Sequence, residues 1–138
     1  MNQLNHLVNK GFKLLLFIHG LITLAASLVL IVAPGAIPQT VNIDLSVNQY
    51  LLSYFLGAAE LSVAFLSIFA RGIEDRKSLR LIAASFIVFH MTTGLLESYA
   101  VLQGASHKLI FNIVLRVLIS VLFWYFGLQR NSTANLHK

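Results

Sequence analysis

Four ionisable residues, Glu60, His90, Glu97 and Arg116, lie inside long apolar stretches of this chain, and His19 is a fifth. Carboxylate, imidazole and guanidinium groups gathered in an apolar setting can hold an anion, hydrogen-bond a ligand or pass a proton. An unpaired charge at the centre of a bilayer costs about 2.5–3.5 kcal/mol on insertion scales, so such residues pair with one another or serve a function. At 1.5 Å of rise per residue, Glu97 and Arg116 both lie roughly 9–11 Å below the same boundary. Only a short link joins their stretches, so they are expected to form an ion pair. Glu60 and His90 are both near the middle of their stretches and form the second candidate pair. His19 falls roughly 9 Å in from the opposite boundary, on a level of its own. The Glu97–Arg116 pair can serve either to fix helix register or to mark an anion or substrate site. Glu60 and His90 suit a proton relay or a ligand contact, with Glu60 either ionised or protonated.

Other chemistries find less support. His19, Glu60, His90 and Glu97 are acceptable metal ligands by type. The Glu-x-x-His spacing of di-metal bundles is missing, however, and so is His-x-x-x-His, so no metal site is expected. Haem between His19 and His90 is disfavoured because their depths differ by about 7 Å. The absence of cysteine excludes disulfides, thiolate ligands and thiol catalysis. No nucleophile–base motif, phosphate loop or dinucleotide fingerprint is present, so no catalytic residue and no cofactor is assigned. A lipid-modifying membrane enzyme working through Glu and His stays open. The net charge of +5 does not imply nucleic acid, because the basic residues other than Arg116 and Lys108 flank apolar segments and form no dense stripe.

The elements that must position these residues follow from composition. The chain is 57% hydrophobic and 11% charged over 138 residues, with a mean hydropathy of +0.79. A soluble domain carries roughly a quarter charged residues, so this one has too few to cover a wetted surface. Crossing a hydrocarbon core of about 30 Å takes about 20 apolar residues as a helix. Residues 13–33, 50–70, 79–103 and 109–128 each qualify, with Pro34, Gly35, Gly72 and Gly104 as punctuation. The first stretch exceeds the 7–15 residues of a signal-peptide core and reads as a retained span. The fold class is therefore all-α, an integral membrane four-helix bundle. Residues 1–130 form one four-span domain, and residues 131–138 are expected to be a disordered cytoplasmic tail.

Lys10, Lys13, Arg71, Arg76, Lys77, Arg80, Arg130 and Lys138 fall on one side of such a bundle, and only Lys108 on the other. Basic residues mark the cytoplasmic side, which places both termini inside. Tyr50, Tyr54 and Tyr99 then sit near the outer interface, and Trp124 and Tyr125 near the inner one, as interfacial aromatics do. The sequon Asn131-Ser132-Thr133 would lie inside and go unused. Each span carries one polar or small stripe: His19, Thr23 and Ala26; then Ser53, Gly57, Glu60, Ala64 and Ser67; then His90, Thr93, Gly94 and Glu97; then Asn112, Arg116 and Ser120. Spacings of three, four and seven put each set on one helix face, which predicts a polar interior and a lipid-facing exterior. In the loop 34–49, Val41, Ile43, Leu45 and Val47 alternate with polar residues. The alternation suggests an extended stretch lying on the membrane surface, and Ser46 with Gln49 also resembles a capping box. The mixed charges of residues 71–80 read as a solvated hairpin.

The first span ending in Pro34, the stretch Leu56-Gly57-x-x-Glu60-Leu61, the basic hairpin at Arg76-Lys77 and the aromatic end Phe123-Trp124-Tyr125-Phe126 carry a resemblance. In these features the chain resembles small bacterial four-helix membrane proteins of the DUF4345-like and DoxX-like kind. The resemblance implies a multi-pass protein of the bacterial inner (cell) membrane and supplies no catalytic residues. DoxX-like proteins have been linked to quinone and redox complexes, and no residue here carries that role over. The leading expectation is a membrane module that binds a small or lipidic ligand, or a partner protein, through Glu60, His90, Glu97 and Arg116, with His19 peripheral. The alternatives are a proton-coupled transporter element working as a homodimer around Glu60, and a structural accessory subunit. The lipid bilayer, a second copy or another membrane protein are the partners such a bundle takes; nucleic acid is not among them.

Overall fold

The structure, a computed structural model, describes residues 2–129, with side chains from Lys10 onward. Helix α1 (Asn2–Val32) leads into a short α2 (Ala36–Thr40) and a 3-10 turn (Val47–Gln49). Then come α3 (Tyr50–Ala70), α4 (Arg76–Leu102) and α5 (Leu109–Phe123), which continues as a π-helical turn over Trp124–Gln129. The four long elements are long and apolar enough to cross a membrane, and at most a third of each span is buried within the bundle. Their outward faces are aliphatic and aromatic, among them Ile22, Val32, Phe55, Phe65, Leu95 and Phe111, all more than half exposed. Helix α3 covers the second apolar stretch, residues 50–70, and α5 with its π-helical turn covers the fourth, residues 109–128. The first and third helices begin earlier than their apolar runs, because polar residues extend a helix beyond the stretch that hydropathy marks. The expected tail, residues 131–138 with its sequon, lies outside the described residues.

Local chemistry sets the helix ends. Pro34 ends α1, since it lacks an N–H and disfavours helical geometry in the residue before it. Asp75 caps α4: its carboxylate accepts from Ser78 N–H (2.8 Å), Lys77 N–H (3.3 Å) and the Ser78 hydroxyl (2.6 Å). The Ser78 hydroxyl, then the two backbone donors, hold the Asp75 carboxyl below its ordinary value. Gly104, at φ +98°, closes α4. Ala105 N–H reaches Ala100 O and Gly104 N–H reaches Val101 O, both at 3.0 Å, which is the Schellman arrangement. Asn42, at φ 60°, closes α2 in the same way, with Ile43 N–H on Pro38 O and Asn42 N–H on Gln39 O.

The helices pack as two antiparallel hairpins, α1 with α3 and α4 with α5. The first is tight. A Cβ added at Gly57 would stand 2.9 Å from Ile31 Cγ1, and one at Gly20 would stand 2.7 Å from Ile68 Cγ1. Small residues let the two backbones approach this closely, and the Ser27 hydroxyl donates to Gly57 O across the contact (2.8 Å). The hairpins meet at the end carrying the basic 71–80 connection, here the basic end. Phe12, Leu16, Ala70, Leu79, Ile82, Ala83, Phe86 and Phe123 form one buried core there. Toward the opposite end, α3 and α5 barely meet.

The connection from α1 to α3 departs from expectation. Residues 43–46 are neither helix nor strand, and they do not stand alone. Val41, Ile43 and Leu45 turn onto the gap between the hairpins and roof it. Asn42 pins the roof to the α4–α5 connection by accepting from Lys108 Nζ (3.0 Å) and donating to Ser106 Oγ (3.5 Å). The Gln49 side chain does accept from Ser46 N–H (2.8 Å), starting the turn into α3.

Candidate functional site

The expected polar stripes all turn inward. Thr23, Ser53, Gly57, Ala64, Ser67, His90, Gly94 and Ser120 are buried, and Glu60, Thr93, Glu97, Asn112 and Arg116 are half-buried. Side chains from all four long helices join in one chain of hydrogen bonds. Asn112 Nδ2 on α5 donates to Glu97 Oε1 on α4 (2.7 Å). Arg116 Nε donates to the same oxygen (3.1 Å), forming the ion pair that depth and the short connection predict. Arg116 Nη1 lies 3.5 Å from His90 Nδ1. His90 Nε2 and His19 Nε2 stand 2.9 Å apart, and His19 Nδ1 is 2.7 Å from Ser67 Oγ on α3.

Two expectations are corrected here. Glu60 does not pair with His90; the imidazole is taken by His19 and Arg116 instead. Glu60 makes no hydrogen bond among the described residues, although the charge of Arg116 reaches it. His19 is not on a level of its own. Depth counted from the first apolar residue separated the two histidines, but α1 and α4 start earlier, at Asn2 and Arg76. From those starts the two residues are three positions apart, about 4.5 Å of rise, which tilt absorbs.

With the Arg116–His90 contact taken as a hydrogen bond, donor and acceptor identities assign the protons along this chain. A guanidinium only donates, so His90 Nδ1 accepts, and the neutral ring carries its proton on Nε2. His90 Nε2–H then donates to His19 Nε2, which places the His19 proton on Nδ1, donating to the Ser67 hydroxyl. Every ring nitrogen is satisfied with both imidazoles neutral. Beyond Ser67 the path ends in rings: His19 packs against Phe86 and Phe123 with centroids 5.0 and 5.1 Å away. Ser67 itself is fully buried.

At the other end the chain opens into a cleft of about 670 Å³ between α3 and α5. Its walls are largely apolar, with Leu30, Leu52, Leu56, Phe111 and Leu115 below the roof. The polar groups are Ser53, Thr40, Glu97, Asn112, Arg116 and Lys108. Arg116 spends Nε on Glu97 and one Nη1–H on His90, while its Nη2 makes no hydrogen bond or ion pair among the described residues. Phe89 stands beside the guanidinium (6.0 Å from Cζ to the ring centre), at the limit of cation–π reach. Glu97 Oε2 is buried and has no hydrogen-bond partner among the described residues. Asn112 and Ser67 were legible as stripe residues but not as site residues, since nothing in spacing says which hydroxyl or amide completes a network. Among the described residues no three of His, Asp and Glu converge as a metal set. No family model, curated protein or solved structure matches the chain.

Proposed function

We propose that the protein is a membrane-embedded binding module for an anionic amphiphile drawn from the bilayer. Its acidic headgroup would meet Arg116 at the floor of the cleft, and its apolar part would run out between α3 and α5. The observation that carries this reading is the free Nη2 of a half-buried arginine in a cleft walled by Leu and Phe side chains. A guanidinium edge with open N–H groups is a natural partner for phosphate or carboxylate oxygens. Lys108 at the rim adds a second positive charge along the approach. The gap lies between two of the long apolar helices, and a pocket of this kind, mostly apolar with a few fixed polar groups, is the usual form of a small-molecule site. The distribution of Lys and Arg supports a basic end in the cytoplasm and a cleft in the outer leaflet, and the resemblance to small bacterial four-helix membrane proteins is what suggests a bacterial inner membrane.

Native mass spectrometry of protein released from nanodiscs tests this reading. In phosphatidylglycerol discs one lipid per chain is expected to stay bound, and in phosphatidylcholine discs none. A charged hydrogen bond contributes about 1.5–3 kcal/mol, so Arg116→Gln should weaken retention about 10- to 150-fold. Equal retention of both lipids, or an unaffected Arg116→Gln variant, would discard the proposal. Glu60 favours a second reading, a proton-coupled element. It is a mid-helix carboxyl that makes no hydrogen bond among the described residues. Glu60→Gln, if it abolishes pH-dependent behaviour while the bundle still folds, would support that reading.

A further inference from the structure

The proton pattern of the histidine pair has a consequence for any anion that reaches Arg116. His90 Nδ1 is the one ring nitrogen of the pair that faces the cleft side, and Arg116 stands between it and the cleft. Its contact is the longest in the chain, 3.5 Å against 2.7–3.1 Å for the others. The opposite end is closed by Ser67, Phe86 and Phe123. Among the described residues, the side left for a proton to arrive from is the cleft, once the guanidinium moves aside.

We propose that the protein takes up one proton together with its anionic ligand, and that the proton enters at Nδ1 of His90. This rests on the cleft reading above. A proton on Nδ1 turns that nitrogen from acceptor to donor, so the Arg116 N–H opposite it must withdraw. His90 Nε2–H keeps its bond to His19, or passes to His19 Nε2 so that the charge moves one ring inward. In both cases one proton is gained and none is lost. The groups facing the pair set the sign of the coupling. Arg116 on α5 is positive, Glu97 on α4 is already engaged with it, Glu60 on α3 feels its field, and His19 and Ser67 are uncharged. In the empty site a second positive charge beside Arg116 is disfavoured. A bound anion neutralises the guanidinium and draws it toward the cleft, which removes both obstacles. By linkage the proton strengthens anion binding by the same factor.

Two measurements decide the matter. In the ligand-free protein, ¹⁵N-histidine NMR should place the neutral-ring proton on Nε2 of His90 and on Nδ1 of His19; the opposite tautomers would overturn the proposal. Calorimetric titration with short-chain phosphatidylglycerol, whose phosphodiester does not titrate between about pH 5 and 8, is then run in buffers of different ionisation enthalpy. Uptake approaching one proton is expected. Affinity should rise by as much as tenfold per pH unit lowered and level off after a total gain of about 5- to 150-fold. His90→Asn, which keeps an acceptor for Arg116 but has no titrating proton, should bind without pH dependence. His19→Gln, which keeps an acceptor for His90 Nε2–H, should retain it. Binding with zero proton uptake, or pH dependence surviving in His90→Asn, overturns the linkage and leaves the cleft reading standing. Absence of binding at every pH overturns both.

Discussion

The two ends of this bundle are built on opposite terms. At the basic end the hairpins are fused by rings and aliphatic side chains, with Phe12, Leu16, Phe86 and Phe123 each no more than 2% exposed. At the loop end the same hairpins part, α3 and α5 leave a cleft, and the walls carry a guanidinium, a carboxylate and an amide. Lipid gives helices no hydrophobic reason to associate, so close packing and hydrogen bonds must hold them. The basic end uses packing and the loop end uses polar contacts, with the His19–His90 bond at the border between the regimes. A polar site in such a protein is therefore stable only where a dry region elsewhere keeps the helices together.

The largest effect is expected from breaking the dry end. Phe123→Ala removes a ring that touches Phe12, His19 and Phe86. The cavity should lower the free energy of unfolding by about 3–5 kcal/mol, measured by denaturant titration in detergent micelles. Leu115→Ala on the cleft wall should stay within about 0.5 kcal/mol; a comparable loss there would mean that the cleft is packed and not open.

The ion pair sharpens the contrast next. Glu97→Leu strands a half-buried guanidinium, and Arg116→Leu strands a carboxylate. Each should cost about 1–3 kcal/mol, and the double variant less than the two singles added together. Simple additivity in this cycle would show that the two side chains do not depend on one another.

A smaller difference separates two glycines. Gly57→Ala forces a methyl group against Ile31 and Leu30 and should destabilise by about 1–2 kcal/mol. Gly94→Ala meets Arg116 Cβ and Cδ at the ordinary distances of 3.7 and 4.0 Å and should be nearly neutral. Thermal unfolding of the two variants side by side reads the tightness of each hairpin.

The smallest effect is electrostatic and lies outside the bundle. The folded-state pKa of Asp75 is depressed, so its contribution is present above the unfolded value of 3.8 and is lost as pH falls through the lower folded value. Asn caps a helix as well as Asp does but does not titrate. Below about pH 4 the wild type should therefore lose thermal stability relative to Asp75→Asn, and equal acid sensitivity of the two proteins would contradict the assignment.

Much of this was open to reading from residues alone. Four apolar stretches, their Gly and Pro ends, and the inward stripes follow from length and periodicity, because a helix in hydrocarbon has one way to satisfy its backbone. The Glu97–Arg116 pair was legible because a short connection makes their helices neighbours and puts both residues at one depth. The partner of His90 was not. Counting put Glu60 at its level and His19 about 7 Å away, and the outcome turned on where α1 and α4 begin and on how closely Gly20 and Gly57 let α1 approach α3. The roof of the cleft was hidden for a similar reason: alternation in residues 41–47 signals an extended chain without saying what lies beneath it.

By itself, then, the sequence determined that the chain is helical, how many long apolar helices it has and which face of each turns inward, since these depend on periods and lengths within one element. Only the tertiary structure decided that the helices pair as two hairpins, that the hairpins close at one end and gape at the other, and that His19 meets His90 with its protons ordered by Arg116. Those outcomes depend on distances between elements, which side-chain volumes and helix starts settle jointly and no single stretch of sequence carries.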